Sequence, residues 1–138
     1  MRLRLPFIFL FFLVLFIVVI FYKSLFEEEK LIVINIWASW CIPCRQEHQY
    51  IKKISDIDNL KLVGINYKDK KKNAQIFLSE YGNPYKLILV DGDGKNSINF
   101  GAYGVPETFI YNSEKKLIKK IVGPIDLKSF NEIKNILK

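Results

Sequence analysis

The pattern of apolar and polar residues divides the chain into one long apolar segment and a series of shorter elements. Leu5–Tyr22 consists almost entirely of Leu, Ile, Val and Phe and contains no charged residue. Leu31–Trp37 is a shorter apolar run that is rich in β-branched residues. It is too short for a buried helix and predicts a buried strand. Apolar residues with helical spacing then continue to about Ser55, which predicts a helix directly after that strand.

The same two patterns alternate along the rest of the chain. They predict strands at Leu60–Asn66 and Leu87–Val90 and a helix between them at Lys70–Tyr81. A mixed, glycine-flanked stretch follows at Asn96–Tyr103. The last part predicts a β-hairpin with strands at Thr108–Tyr111 and Lys116–Val122. It also predicts a final helix at Asp126–Leu137, with Asp126 as the capping residue.

The predicted order of elements is β-α-β-α-β, a turn, and β-β-α. Alternating strands and helices favour parallel pairing with right-handed crossovers, and the hairpin adds antiparallel strands. The fold class is therefore α/β, with a mixed central sheet that is covered by helices on both faces.

The long apolar segment predicts a membrane anchor. It is roughly 18 residues long, which is close to the length a helix needs to cross a bilayer. Arg2 and Arg4 precede it, so its N-terminus is expected in the cytoplasm and the following domain on the other side. We expect an uncleaved signal anchor at residues 1–23, a linker at 24–30 and one domain at 31–138. A cleaved signal peptide and a buried core helix are the alternatives.

The composition narrows the class of partners. The 138 residues carry a formal charge of +7, but the lysines are dispersed over the whole chain. Dispersed lysines are typical of a solvated basic surface, and we do not expect nucleic-acid binding.

The chain has two cysteines, Cys41 and Cys44, at the predicted junction between the first strand and the first helix. Free N–H groups and the positive end of the helix dipole stabilise a thiolate there. The spacing of three residues places both sulfurs on one helix face. These features predict thiol–disulfide exchange, with Cys41 as the more exposed nucleophile and Cys44 as the resolving thiol.

A structural disulfide or a metal site is the competing interpretation of the cysteine pair. A disulfide across so short a loop constrains little of the chain and would stabilise the fold only weakly. Zinc needs four ligands, and His48 is the only histidine in the chain. We therefore expect no zinc site and no cofactor besides a redox-active Cys41–Cys44 disulfide. A two-thiolate copper site, as in a copper chaperone, stays open as an alternative.

Three stretches resemble one family. Asn35–His48 with its Trp-Cys-x-x-Cys motif, Gly64–Asp69 and Gly101–Phe109 are similar, in this order, to motifs of membrane-anchored thioredoxin-like proteins of cytochrome c biogenesis (DsbE/CcmG type). The resemblance implies a thioredoxin-like fold in residues 31–138. Such proteins carry a longer segment before the first strand, so here we expect one sheet edge to be more exposed.

The resemblance also implies a function. Such a protein is a thiol:disulfide reductase on the periplasmic side of the bacterial inner membrane. It receives electrons from a membrane thiol reductase and passes them to the haem-binding cysteines of apocytochrome c or to a haem-ligation partner protein. A broader extracytoplasmic oxidoreductase is the second candidate function.

The resemblance further implies the residues that shape the site. Pro106 is expected to follow a cis peptide bond, and it leaves the Val105 backbone facing a bound peptide. Pro43 is expected in the first helical turn, and Trp40 is expected to shield the sulfurs and contact the substrate. Glu47 and Glu107 are predicted to form an acidic site near the thiols, where a carboxylate raises a thiol pKa and relays a proton. His48 and Arg45 are expected on the helix surface.

Overall fold

The computed structural model describes residues 4–25 and 31–137. Five helices and five strands lie in this part of the chain, in an order that agrees with the prediction. Their bounds are α1 Arg4–Leu25, β1 Leu31–Trp37, α2 Ile42–Ser55, β2 Leu60–Tyr67, α3 Lys71–Tyr81, β3 Leu87–Asp91, α4 Lys95–Asn99, β4 Glu107–Asn112, β5 Leu117–Val122 and α5 Leu127–Ile136.

The five strands form one mixed sheet in the order β3-β2-β1-β4-β5. The strands β1, β2 and β3 are parallel to one another, whereas β4 pairs antiparallel with both β1 and β5. The most apolar strand, β1, thus lies at the centre with a partner on each side. Its C-terminal end, Trp37, leads directly into the cysteine pair.

The two faces of the sheet are covered unequally. Side chains alternate between the faces along a strand, so Val33 and Trp37 point to one face and Ile34 and Ile36 to the other. The first face packs against the buried sides of α2, α3 and α5 and forms the larger core. The second face carries a smaller cluster that packs against Ala102, in the loop after α4. Helices are predicted on both faces; among the described residues, α2, α3 and α5 supply the larger core, and the five-residue α4 contacts β2 and β3.

The strand β3 lies at one edge of the sheet. Three of its apolar side chains are exposed: Leu87, Leu89 and Val90. At the other end of the chain, α5 begins as predicted at Asp126, whose carboxylate accepts a hydrogen bond from the Ser129 N–H at 2.8 Å. This side-chain cap satisfies a backbone donor that the first turn of the helix leaves free.

The helix α1 contains the apolar segment that predicts an anchor. It is 22 residues long, and its described side chains, those of residues 8–21, are all exposed. Within the part of the chain that the structure describes, no helix combines the length and the apolar character needed to cross a membrane. The anchor stays a prediction from the sequence, and part of the predicted linker, residues 26–30, lies outside the described residues.

Gly64 allows β2 to pass beneath two aromatic rings. A Cβ at this position would lie 2.8 Å from the Trp37 Nε1 atom and 2.9 Å from the Tyr85 ring. Trp37 and Tyr85 are themselves stacked, with ring centroids 5.5 Å apart. The pair therefore has no room for even one methyl group at residue 64.

We expect Gly64→Ala to lower the free energy of unfolding by about 1–3 kcal/mol, because the added methyl group must displace the stacked rings. Urea unfolding monitored by tryptophan fluorescence measures this loss. Gly92→Ala is the matched control, since a Cβ there meets nothing within 4 Å. Equal stability of the two variants would contradict the packing described here.

Candidate active site

The cysteine pair lies where β1 ends and α2 begins. Cys41 is the N-cap of α2, its sulfur accepts a hydrogen bond from the Cys44 N–H at 3.2 Å, and Pro43 lies in the first turn as predicted. A disulfide joins Cys41 to Cys44, with Cα atoms 5.3 Å apart. The N-cap position gives Cys41 the free N–H groups and the helix dipole that stabilise a thiolate after reduction.

In the disulfide form the two cysteines are almost equally buried, so the expected greater exposure of Cys41 is only marginal. Cys41 is 4% exposed and Cys44 is 3% exposed, because both pack into the core below the sheet end. Exposure therefore does not distinguish the two sulfurs. Their positions relative to α2 do, since Cys41 caps the helix and Cys44 lies within its first turn.

The two tryptophans have different environments, as the sequence predicts. Trp37 is buried between Tyr85 and Phe77. Trp40 is 54% exposed, and its indole N–H donates to the Lys68 carbonyl oxygen at 3.1 Å. An exposed but anchored indole next to Cys41 provides a fixed apolar surface beside the disulfide.

The loop before β4 lies against the same core cluster as the two cysteines. The peptide bond between Val105 and Pro106 is cis, as the resemblance implied. Val105 is partly exposed and packs against the cluster that contains Cys41 and Cys44, whereas Pro106 is buried.

Glu47 lies one helical turn beyond Cys44, on the same buried side of α2. One carboxylate oxygen accepts from the Asn35 side-chain amide at 2.9 Å, and the other accepts from the Ile125 N–H at 2.8 Å. Burial raises the pKa of Glu47 to about 7, although both hydrogen bonds lower it in part. A carboxyl group with this pKa exchanges protons near neutral pH, which suits acid–base chemistry beside a thiol.

Asn35 is the centre of a buried network that the sequence prediction missed. Besides Glu47, its amide group donates to the Thr108 hydroxyl at 3.0 Å, and its oxygen accepts from the Tyr85 hydroxyl at 2.8 Å. Burial, and to a lesser extent the Glu47 charge, raise the pKa of the Tyr85 hydroxyl well above its usual value. The sequence does contain a signal for this network, because Asn35 is a polar residue within the apolar run of β1 and a buried amide needs hydrogen-bond partners.

The prediction that Glu47 and Glu107 form one acidic site is wrong. Glu107 pairs with Ile36 across the sheet, and Thr108 pairs with Asn35, so Glu107 and the Asn35 network lie on opposite faces. Glu107 accepts hydrogen bonds from the Tyr103 and Gly104 N–H groups at 2.6 and 2.9 Å, and the Lys120 ammonium lies 3.0 Å from its other oxygen. Glu107 therefore shapes the loop before Pro106 and is not part of the Glu47 network.

His48 is buried, whereas the sequence predicted a surface position. Its Nε2 atom lies 2.9 Å from the Gly82 carbonyl oxygen, and its ring packs edge-on against Phe77. Burial lowers the pKa of His48 below its usual value. His48 thus connects α2 to the end of α3. Arg45 is exposed as predicted.

A mixed sheet with a Cys-x-x-Cys disulfide at a helix N-terminus defines the class of thioredoxin-like thiol–disulfide proteins. The chain belongs to the redoxin family, whose model matches residues 22–137. The solved structure of a thiol:disulfide interchange protein DsbE from Chlorobium tepidum has the same fold, with a TM-score of 0.67, 23% identity and coverage of 80% of each chain.

Two curated relatives confirm the resemblance to the DsbE-type proteins. The thiol:disulfide interchange protein CycY of Rhizobium leguminosarum is 45% identical over 97 residues, which are 70% of this chain and 52% of that protein. DsbE of Escherichia coli K12 is 38% identical over 113 residues, 81% of this chain and 60% of that protein. The aligned part thus spans just over half of the length of these relatives.

We expect the free energy of unfolding to fall as pH rises through about 7, because the folded protein holds Glu47 protonated above its unfolded pKa. The contribution is complete below about pH 4.5 and is lost above the folded pKa, a change of about 3 kcal/mol. Other groups titrate too, so the difference between wild type and Glu47→Gln isolates this effect. Urea unfolding from pH 4.5 to 8.5 measures it, and a difference that does not change with pH would contradict it.

Proposed function

We propose that the chain is a membrane-anchored thiol–disulfide oxidoreductase that reduces disulfides during cytochrome c maturation. The observation that carries the proposal is the Cys41–Cys44 disulfide, held at the N-cap of α2 in a redoxin domain. The cysteine pair is the only thiol chemistry that the sequence offers. Buried Glu47, one turn away, supplies a proton donor and acceptor near neutral pH.

The reduction proceeds in two exchange steps. After an external thiol reductant has opened the Cys41–Cys44 disulfide, the Cys41 thiolate attacks one sulfur of the substrate disulfide. The substrate S–S bond breaks, a mixed disulfide forms, and the second substrate sulfur leaves as a thiolate that takes up a proton. The Cys44 thiolate then attacks the Cys41 sulfur, which restores the Cys41–Cys44 disulfide and releases the reduced substrate.

Glu47 acts on the second step. Cys44 must lose its proton before it attacks, and Glu47 lies on the same helix face with a pKa of about 7. In its charged form Glu47 accepts the proton of the Cys44 thiol. In its neutral form it returns a proton when the disulfide is reduced again. The side-chain amide of Asn35 holds the Glu47 carboxylate in place during both proton transfers.

The proposed substrate and donor are supported by the similarity of the chain to the thiol:disulfide interchange proteins CycY and DsbE. We infer from this similarity a role in cytochrome c biogenesis. On this basis the substrate is the disulfide of the haem-binding Cys-x-x-Cys-His segment of apocytochrome c, or a haem-ligation partner that carries this disulfide. A membrane thiol reductase supplies the electrons.

The proposed location is the periplasmic side of the bacterial inner membrane. The support is the uncharged run Leu5–Tyr22 after Arg2 and Arg4, together with the helical conformation of Arg4–Leu25.

We expect Cys44→Ala to accumulate mixed disulfides through Cys41, because the resolving thiol is absent. Non-reducing gels of cells that express this variant, followed by mass spectrometry of the trapped peptide, measure the effect. Cys41→Ala is the matched control and should trap far less. Mixed disulfides that form mainly on Cys44 in the control would reverse the two roles.

The direction of the reaction is tested separately by equilibration of the wild-type protein with glutathione. A reductant has a potential far below the roughly −120 mV of a dedicated oxidant. A potential near −120 mV would exclude the reductase and favour the broader oxidoreductase. Tight Cu(I) binding without exchange would favour a copper chaperone.

We expect the full-length protein to stay in the membrane pellet after alkaline carbonate extraction. The double variant Val14→Lys and Ile17→Lys should move to the supernatant, because each lysine at the centre of the segment costs about 2.5–3.5 kcal/mol on insertion. Phe12→Leu is the control that keeps the segment apolar. Wild-type protein in the supernatant would exclude the anchor. Labelling of reduced Cys41 in intact spheroplasts by a membrane-impermeant maleimide reports the side on which the domain lies.

A further inference from the structure

A side chain from a distant part of the chain accepts two hydrogen bonds from the turn that joins β1 to Cys41. The carboxylate of Asp69 accepts from the Ser39 N–H at 2.6 Å and from the Ser39 hydroxyl at 2.9 Å. Asp69 lies 30 residues further along, in the segment Lys68–Lys70 between β2 and α3, which we call the Asp69 loop. The contact therefore connects the active-site turn to the neighbouring strand.

The Asp69 loop also fixes the next residue of the turn. The Lys68 carbonyl oxygen accepts from the Trp40 indole N–H at 3.1 Å, and the Lys68 N–H donates to the Asp91 carbonyl oxygen at 2.9 Å. Lys68 has a left-handed backbone, with φ 43°. A non-glycine residue rarely adopts this conformation unless its surroundings hold it there. Both residues before Cys41 are thus tied to one loop.

The hydrogen-bonding capacity of Asp69 is fully used. Its two oxygens also accept from the Asn66 side-chain amide at 2.9 Å and from the Lys70 N–H at 2.8 Å. A carboxylate offers about four lone-pair sites, and Asp69 accepts four hydrogen bonds. Ser39 is held from the other side as well, because its carbonyl oxygen accepts from the Arg45 Nε–H at 2.8 Å.

Resting on the proposed thiol–disulfide exchange, we propose that Asp69 is a positioning residue that presents Cys41 and Trp40 together to a peptide disulfide. While the disulfide is closed, its covalent bond helps to hold Cys41. Once it is reduced, the Cys41 sulfur depends on the turn, and the turn depends on Asp69. The thiolate must then approach one sulfur of the substrate in line with the S–S bond that breaks. Small displacements of a reacting atom lower such rates strongly.

The test uses full-length protein with Cys44→Ala as the common background, so that only the attack by Cys41 is observed. Each reduced variant is mixed with one of two disulfides: a synthetic peptide that contains a Cys-x-x-Cys-His disulfide, or oxidised glutathione. Acid quenching and mass spectrometry give the rate of mixed-disulfide formation from pH 5 to 10. Rates are compared at the high-pH plateau, where the Cys41 thiol is fully deprotonated and its pKa no longer affects the rate.

We expect Asp69→Ala to lower the plateau rate with the peptide about tenfold. The rate with glutathione should change less than twofold, because a small disulfide needs only an accessible thiolate. Ser39→Ala should lower the peptide rate in the same sense, by a smaller factor, since it removes one of the two hydrogen bonds to Ser39. If Asp69→Ala does not fold, Asp69→Asn and Ser39→Ala decide the question.

Asp126→Ala and Ser129→Ala are matched controls. Ser129 also donates to an aspartate through its N–H and its hydroxyl, but at the start of α5. These controls should lose stability in urea and keep both exchange rates.

An unchanged peptide rate in folded Asp69→Ala and Ser39→Ala would overturn the proposal, as would an equal loss with both disulfides. If the Cys44→Ala protein with Asp69 intact reacts with neither disulfide, the proposed function itself is wrong.

Discussion

The pairing of β1 with a strand on each side is the constraint on which the site depends. The strand is parallel to β2 and antiparallel to β4, so its register is fixed from both edges. Because a shift by one residue would exchange the two faces, this register determines where every side chain of β1 points. It places Asn35 towards α2 and ends the strand at Trp37, four residues before Cys41.

Much of this arrangement is predictable from the sequence, because it follows from local patterns. The apolar run of β1, the helical spacing after it and the cysteine spacing depend on neighbouring residues only. The N-cap at Asp126 and the hairpin after β4 are local in the same way. Elements of this kind are encoded by residues that lie close together along the chain, so a single sequence is sufficient to place them.

The parts that were missed or wrong depend on contacts between distant segments. The hydrogen bond from Ile125 to Glu47 spans 78 residues, and the one from Asn35 to Thr108 spans 73. The separation of Glu47 from Glu107 depends on which sheet face each carboxylate occupies, and a motif alone does not fix that. His48 is buried because α3 packs over it, which the amphipathic pattern of α2 does not reveal.

The buried network around Asn35 links protonation to the architecture of the whole domain. The carboxylate of Glu47, on α2, accepts hydrogen bonds from Asn35 in β1 and from Ile125 in the segment before α5, and Asn35 connects it to Tyr85 in the segment before β3. A proton that leaves Glu47 therefore places a charge where four segments meet. The pH range that makes the carboxylate reactive is also the range in which it destabilises the fold. Under the proposed mechanism, faster exchange at neutral pH is therefore coupled to a loss of domain stability that a fully solvated acid would not cause.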